Sequence, residues 1–146
     1  LLDWFESYLK NRHLQVRFGG AVSEPIPVLS GVPQGSLLGP ILFSLFINDV
    51  GDRLSTNFLL FADDAKVFVE ITGPDDCRRL QSDLDGLVEW CVLNDMDLNP
   101  DKCFVMTFAR SRSALEYGYA IGGAHLKRVE SAGDLGIIMV PNLDPR

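Results

Sequence analysis

Apolar residues at Leu1, Trp4, Phe5 and Tyr8 recur at helical spacing, so the first ten residues read as the end of an amphipathic helix that starts upstream, with those side chains in the core. The period then shortens. Residues 14–18 and 26–29 are β-prone runs, with Gly19-Gly20 in the connection between them. Residues 37–48 are apolar on nearly every face, which predicts a buried helix; Ser36 stands at its N-cap, and Pro40 falls in or just past the first turn, where a missing N–H costs least. Two further apolar runs, 58–61 and 67–69, predict a β-hairpin with Asp63 and Asp64 at its tip. Gly73-Pro74-Asp75-Asp76 then opens a helix expected over residues 75–94, with an apolar stripe of Cys77, Leu80, Leu84, Leu87, Val88 and Cys91. Beyond it, 98–102 is turn-like, 103–108 β-prone and 110–113 an exposed loop. Residues 119–129 read as a hairpin about Gly122-Gly123, and 135–140 as one more strand. The expected class is α+β, an antiparallel sheet carrying the 58–69 hairpin packed on two helices, 37–48 and 75–94.

Composition adds limits. A chain of 146 residues, 47% hydrophobic and 23% charged, has the apolar mass for one globular domain and is not disordered. Its longest apolar run, 37–47, is broken by Gly39-Pro40 and Ser44 and falls short of the roughly 20 residues that span a bilayer. No membrane span or signal peptide is visible. Cys77, Cys91 and Cys103 show no CxxC spacing, and the first two lie about 21 Å apart along one expected helix, so reduced thiols of an intracellular protein are the simplest account. The net charge of −7 argues against a large nucleic-acid surface on these residues by themselves. Lys10, Arg12, His13 and Arg17 form the most basic patch, either a solvated face or a contact to a nucleic-acid backbone. The chain begins Leu1-Leu2-Asp3 and its methionines are Met96, Met106 and Met139, so it reads as part of a longer polypeptide.

Three stretches carry candidate chemistry. Asp63 and Asp64 are adjacent anions on a tight turn; they suit an ordinary exposed turn, or a hard cation such as Mg²⁺ that takes its other ligands from water and phosphate. The second reading leads to phosphoryl or nucleotidyl transfer. The segment 30–36, with Gly31 and Gly35, feeds a helix N-terminus; it is a plain connection or a loop whose free N–H groups receive an anion. Lys102 sits at the mouth of an expected strand, as a solvated strand-end lysine or as a charge for a departing phosphate.

The order of these stretches resembles the palm of a reverse transcriptase from the non-LTR (LINE) retrotransposons, most closely the jockey-like group. Residues 29–40, read through Phe46-Ile47-Asn48-Asp49, resemble motif B; Phe61-Ala62-Asp63-Asp64 resembles motif C; Leu98-Asn99-Pro100-Asp101-Lys102-Cys103 resembles motif D; and Asp134-Leu135-Gly136-Ile137 resembles the core of motif E, the primer grip. The resemblance implies one domain over residues 1–146: a partial polymerase palm without motif A, most of the fingers, or the thumb. It further implies an RNA-directed DNA polymerase using Mg²⁺, with Mn²⁺ as the alternative. An RNA template, a DNA primer, deoxynucleoside triphosphates and the rest of the retrotransposon polyprotein are the implied partners, with no membrane. Asp63 is implied as a metal ligand and Asp64 as a less direct one. Phe61 and Ala62 would line the site, Gly31, Pro33, Gln34 and Gly35 would touch nucleotide and template, and Lys102 would lie near the triphosphate. The implied place of work is intracellular, the nucleus for the parent protein or else the cytoplasm. His13 and His125 match no catalytic position.

Within that resemblance the motif A aspartate has no counterpart, since residues 1–30 contain only Asp3, in another context. These residues alone are therefore expected to extend a primer negligibly and to dissolve poorly, with part of a sheet edge exposed. Two other readings compete. One is a catalytically inactive retroelement remnant that binds or supports; the other is a different metal-dependent phosphotransfer enzyme, to which the Pro33-Gln34-Gly35 loop is a poor fit.

Overall fold

The computed structural model describes residues 1–109 and 115–141, and the expected loop at 110–113 lies outside the described residues. Two units divide the chain, Leu1–Asp49 and Val50–Arg146.

The first unit opens with helix α1, Leu2–Leu9. Trp4 stacks on Tyr8 with ring centroids 5.3 Å apart and meets Phe5 edge-on at 5.2 Å. No α1 residue is buried, so the core role expected for these aromatics is not met: the rings cover their own helix. Strands β1 (Arg12–Leu14), β2 (Arg17–Phe18), β3 (Ala21–Val22) and β4 (Ile26–Val28) make one long ribbon, β1 antiparallel to β4 and β2 to β3. Gly19 and Gly20, at φ +56° and +84°, turn Phe18 back onto Ala21, as a two-residue hairpin turn with two left-handed positions requires. Between Leu14↔Ile26 and Arg17↔Val22 the register slips by one residue, a bulge, and Ser23 ties it by donating its N–H to the Val16 carbonyl at 2.9 Å. The single strand expected at 14–18 is broken there.

Helix α2 spans Gly39–Ile47 and runs into a 3₁₀ segment, Asn48–Arg53. It starts two residues later than expected, yet Ser36 still serves its first turn: Oγ accepts from the Gly39 N–H at 2.9 Å and donates to the Pro33 carbonyl at 2.8 Å. The expectation of burial fails. Within α2 only Gly39 and Ile47 are buried, while Ile41 is 56% and Leu45 69% exposed. A helix apolar on every face needs cover on every face, and the described elements supply it at two positions.

The second unit holds the hairpin β5 (Asn57–Phe61) and β6 (Asp64–Phe68), followed by the 20-residue helix α3, Pro74–Leu93. Thr72 begins the helix cap, donating its hydroxyl at 2.7 Å and its N–H at 2.8 Å to Asp76 Oδ2, which also accepts from the Gly73 N–H at 3.1 Å. Those bonds hold the Asp76 carboxyl below the usual carboxylate range. After a 3₁₀ turn, Pro100–Lys102, come β7 (Phe104–Val105), β8 (Ala120–Ile121), β9 (Ala124–His125), β10 (Lys127–Arg128), β11 (Ala132–Asp134) and β12 (Ile137–Met139). The core gathers Val50, Cys77, Leu87, Trp90, Cys91, Tyr119 and Ile121, and α3 lies beside β6 and β8. The expected stripe is thus half right, with Leu80, Leu84 and Val88 only half-buried.

Two expectations need correction. The single antiparallel sheet is instead a set of separate two-stranded ladders among the described residues, and one of them, β7 with β10, is parallel. The strands are two to five residues long, too short to template a wider sheet. The lone strand at 135–140 is instead part of a hairpin, because Leu135-Gly136 turns the chain and pairs Asp134 with Ile137. Among the described residues no helix is long and apolar enough to cross a membrane.

Candidate functional site

Phe61 pairs with Asp64 across the β5–β6 ladder, which leaves Ala62-Asp63 as a two-residue turn. Asp63 therefore occupies the tip and Asp64 opens β6. Ala62 is left-handed at φ +52° and Asp63 is not, so alanine stands at a turn position where glycine is preferred, at a cost of about 1 kcal/mol. Both aspartates are exposed, and among the described residues neither side chain accepts a hydrogen bond or pairs with a cation. Phe61 beside them is 60% exposed.

The base of the hairpin is held from α3. Asp83, 4% exposed, accepts from the Ser55 N–H at 3.0 Å, the Ser55 hydroxyl at 2.9 Å, the Thr56 N–H at 2.7 Å and the Thr56 hydroxyl at 2.6 Å. Burial by itself raises a carboxyl pKa; here the bonds from Thr56 and Ser55 outweigh it and hold Asp83 below its ordinary value. Sequence reasoning missed this anchor. Its signal was an acid placed among Leu80, Leu84 and Leu87 on the apolar side of the helix, with Ser55-Thr56 just before the strand. Gly51 lets the ring of Phe58 come close, since a Cβ there would lie 2.5 Å from it.

Lys66, two residues after Asp64, donates from Nζ to Asp134 Oδ2 at 2.6 Å and joins this hairpin to β11. Lys102 ends the 3₁₀ turn, exposed, and makes no described contact with Asp63 or Asp64; Asn99 Oδ1 caps that turn by accepting from the Asp101 N–H at 3.1 Å.

The glycine-bearing loop belongs to the first unit. Gly31 and Gly35 are left-handed at φ +72° and +79°; both are exposed with Gln34, while Pro33 is half-buried. Arg12 fastens this loop, which sequence reasoning did not foresee: Nε donates to the Leu9 carbonyl at 2.8 Å, and Nη2 to the carbonyls of Ser30, at 3.1 Å, and Gly31. Much of the basic patch is therefore spent internally, as Lys10 pairs with Glu6 at 2.5 Å, and His13 and Arg17 remain exposed. An open cleft of about 300 Å³ near Leu9, His13 and Pro27 contains no carboxylate.

The cysteines are free, and burial pushes the Cys91 and Cys103 thiols up. Burial also pushes the Tyr119 phenol well up, with the Cys77 thiol beside it adding to the shift. Among the described residues no cluster of three or more His, Cys, Asp or Glu forms a ready-made metal cage. The donor set at the turn is two adjacent, exposed carboxylates. That set fits a hard divalent cation, which keeps several waters and draws its remaining ligands from phosphate oxygens.

A family model described as reverse transcriptase (RNA-dependent DNA polymerase) matches residues 2–137. The RNA-directed DNA polymerase from mobile element jockey of Drosophila melanogaster is 29% identical over 143 residues, covering 92% of this chain and 16% of the relative. The probable RNA-directed DNA polymerase from transposon BS of the same organism is 31% identical over 147 residues, covering 92% of this chain and 16% of the relative. The retrovirus-related Pol polyprotein from type-2 retrotransposable element R2DM is 28% identical over 116 residues, covering 72% of this chain and 10% of the relative. The chain thus spans about a sixth of the length of the first two relatives. No solved structure matches it.

Proposed function

The chain belongs to the reverse transcriptase family, in its non-LTR retrotransposon branch, and from that premise we propose that it is the carboxylate-bearing palm segment of an RNA-directed DNA polymerase. The observation that carries this reading is the hairpin tip: two exposed carboxylates with no internal partner among the described residues, on a turn that alanine enters at φ +52°. Anions left unpaired on a strained turn suit a ligand that arrives from outside. In the proposed reaction the primer 3′-hydroxyl oxygen bonds to the α-phosphorus of a deoxynucleoside triphosphate, and the bond to pyrophosphate breaks. Asp63 and Asp64 would hold Mg²⁺, or Mn²⁺ in its place, which when bound supplies positive charge for the hydroxyl and the triphosphate.

The remaining roles belong to the chain itself. Ala62, with a single methyl, leaves room for the primer end, and the exposed Phe61 ring lines that space. Gly31, Pro33, Gln34 and Gly35 present backbone groups to nucleotide and template. Lys102 offers charge or a proton to the departing pyrophosphate. The 132–139 hairpin steadies the primer. A further carboxylate, fingers and thumb would come from elsewhere in the reading frame.

The test is incorporation by the full-length reading frame on an RNA template, on a DNA template, and with nucleotide alone. RNA-templated extension is the expected result. Turnover of free nucleotide without templating would point to another phosphotransfer enzyme, and silence on every template to an inactive remnant.

A further inference from the structure

We infer that Lys66 is a positioning residue: its ion pair with Asp134 holds the Leu135 turn beside the face of the carboxylate hairpin that bears Asp64, so that both tips close on the primer terminus. The inference rests on the polymerase reading above. Three observations carry it.

The first is the reach of the pair. Lys66 Nζ and Asp134 Oδ2 lie 2.6 Å apart, join residues 68 apart in sequence, and have side chains only 36% and 21% exposed. The other described ion pairs, Lys10–Glu6, Arg78–Asp75 and Arg79–Asp76, are single-helix contacts three or four residues apart. The second is direction. Residues two apart on a strand share a face, so Lys66 leaves β6 on the side of Asp64, with Phe61 and Leu59 as their cross-strand partners. The third is strain at both tips. Leu135, directly after Asp134, is left-handed at φ +47° and 56% exposed, as Ala62 is left-handed at +52° on the other turn. Non-glycine residues stay in that region only where their surroundings over-determine them.

The pair has a second effect. Lys66 shares a strand face with Asp64, two residues away, and would neutralise it if left free. Asp134 holds the ammonium instead, which leaves the Asp64 carboxylate without an ion-pair partner among the described residues.

The test is RNA-templated primer extension by the full-length polypeptide with Lys66→Gln, Asp134→Asn, both together, and Lys66→Arg. Expected is a fall of about tenfold in kcat/KM for primer–template in each single variant, the size of a typical coupling between contacting residues. The KM for nucleotide should stay unchanged, the double variant should be no worse than the worse single, and Lys66→Arg should recover most of the rate. Single variants that extend like the wild type, or losses that simply add, would overturn the inference and leave the polymerase reading intact. A wild-type polypeptide that extends no primer overturns both.

Discussion

At the scale of single residues, the site is built from side chains denied their usual company. Ala62 bears a left-handed backbone without glycine's freedom, so Ala62→Gly should stabilise the hairpin by about 1 kcal/mol, and Ala62→Val should destabilise it, because a β-branched residue tolerates that region least. Urea unfolding midpoints check both. Asp83 is the opposite case, an acid buried and fully served. Its carboxyl titrates lower in the folded chain than in the unfolded one, so between those values the unfolded chain binds more protons and stability rises with pH. That contribution is present above the unfolded value, about pH 4, and is lost as pH falls through the folded one. Asp76 and Glu6, also lowered, add to the slope in the same direction. Asp83→Asn should therefore lower the midpoint at neutral pH by the equivalent of about 2 kcal/mol and flatten part of the acid slope, read from urea midpoints between pH 7 and about pH 3.

At the scale of elements, local chemistry was legible where backbone need and residue type coincide. Gly19-Gly20 and Gly122-Gly123 marked their turns because two left-handed positions select glycine, and Gly73-Pro74-Asp75-Asp76 marked the start of α3 within a residue. The turn at Leu135-Gly136 was read as strand because leucine in a left-handed position leaves no pattern. Long-range pairing was the harder part. Nothing in residues 103–108 announces that only Phe104–Val105 pair, or that the pairing with Lys127–Arg128 is parallel. Of the site, Asp63 and Asp64 were visible as neighbours, while their supports were not: Asp83, Arg12 and Lys66 act over 18 to 68 residues of chain, through contacts without sequence spacing. Gln81 is another such support. Its side-chain amide meets Ala120 twice, accepting from the N–H and donating to the carbonyl at 2.9 Å each, and so fastens β8 to α3 like an added strand. Gln81→Leu should cost about 2 kcal/mol by leaving both backbone groups unpaired, and amide hydrogen exchange should show Ala120 losing protection while Phe61 keeps its own.

At the scale of the molecule, apolar surface remains open. Phe18, Leu29 and Leu37 are 86%, 93% and 93% exposed, and most of α2 is uncovered. Such surface in one chain favours association, so these 146 residues in isolation should self-associate and bind a hydrophobic dye, as light scattering and dye fluorescence would show. A stable monomer that binds no dye would contradict the exposure described. The central claim is narrower: the Asp63-Asp64 turn carries nucleotidyl transfer. The most direct measurement is RNA-templated primer extension in Mg²⁺ by the full-length reading frame, comparing wild type with Asp63→Asn and with Asp97→Asn, an exposed acid outside the hairpin strands. The account predicts that Asp63→Asn loses about a hundredfold or more while Asp97→Asn keeps its rate. Equal rates in wild type and Asp63→Asn would contradict it.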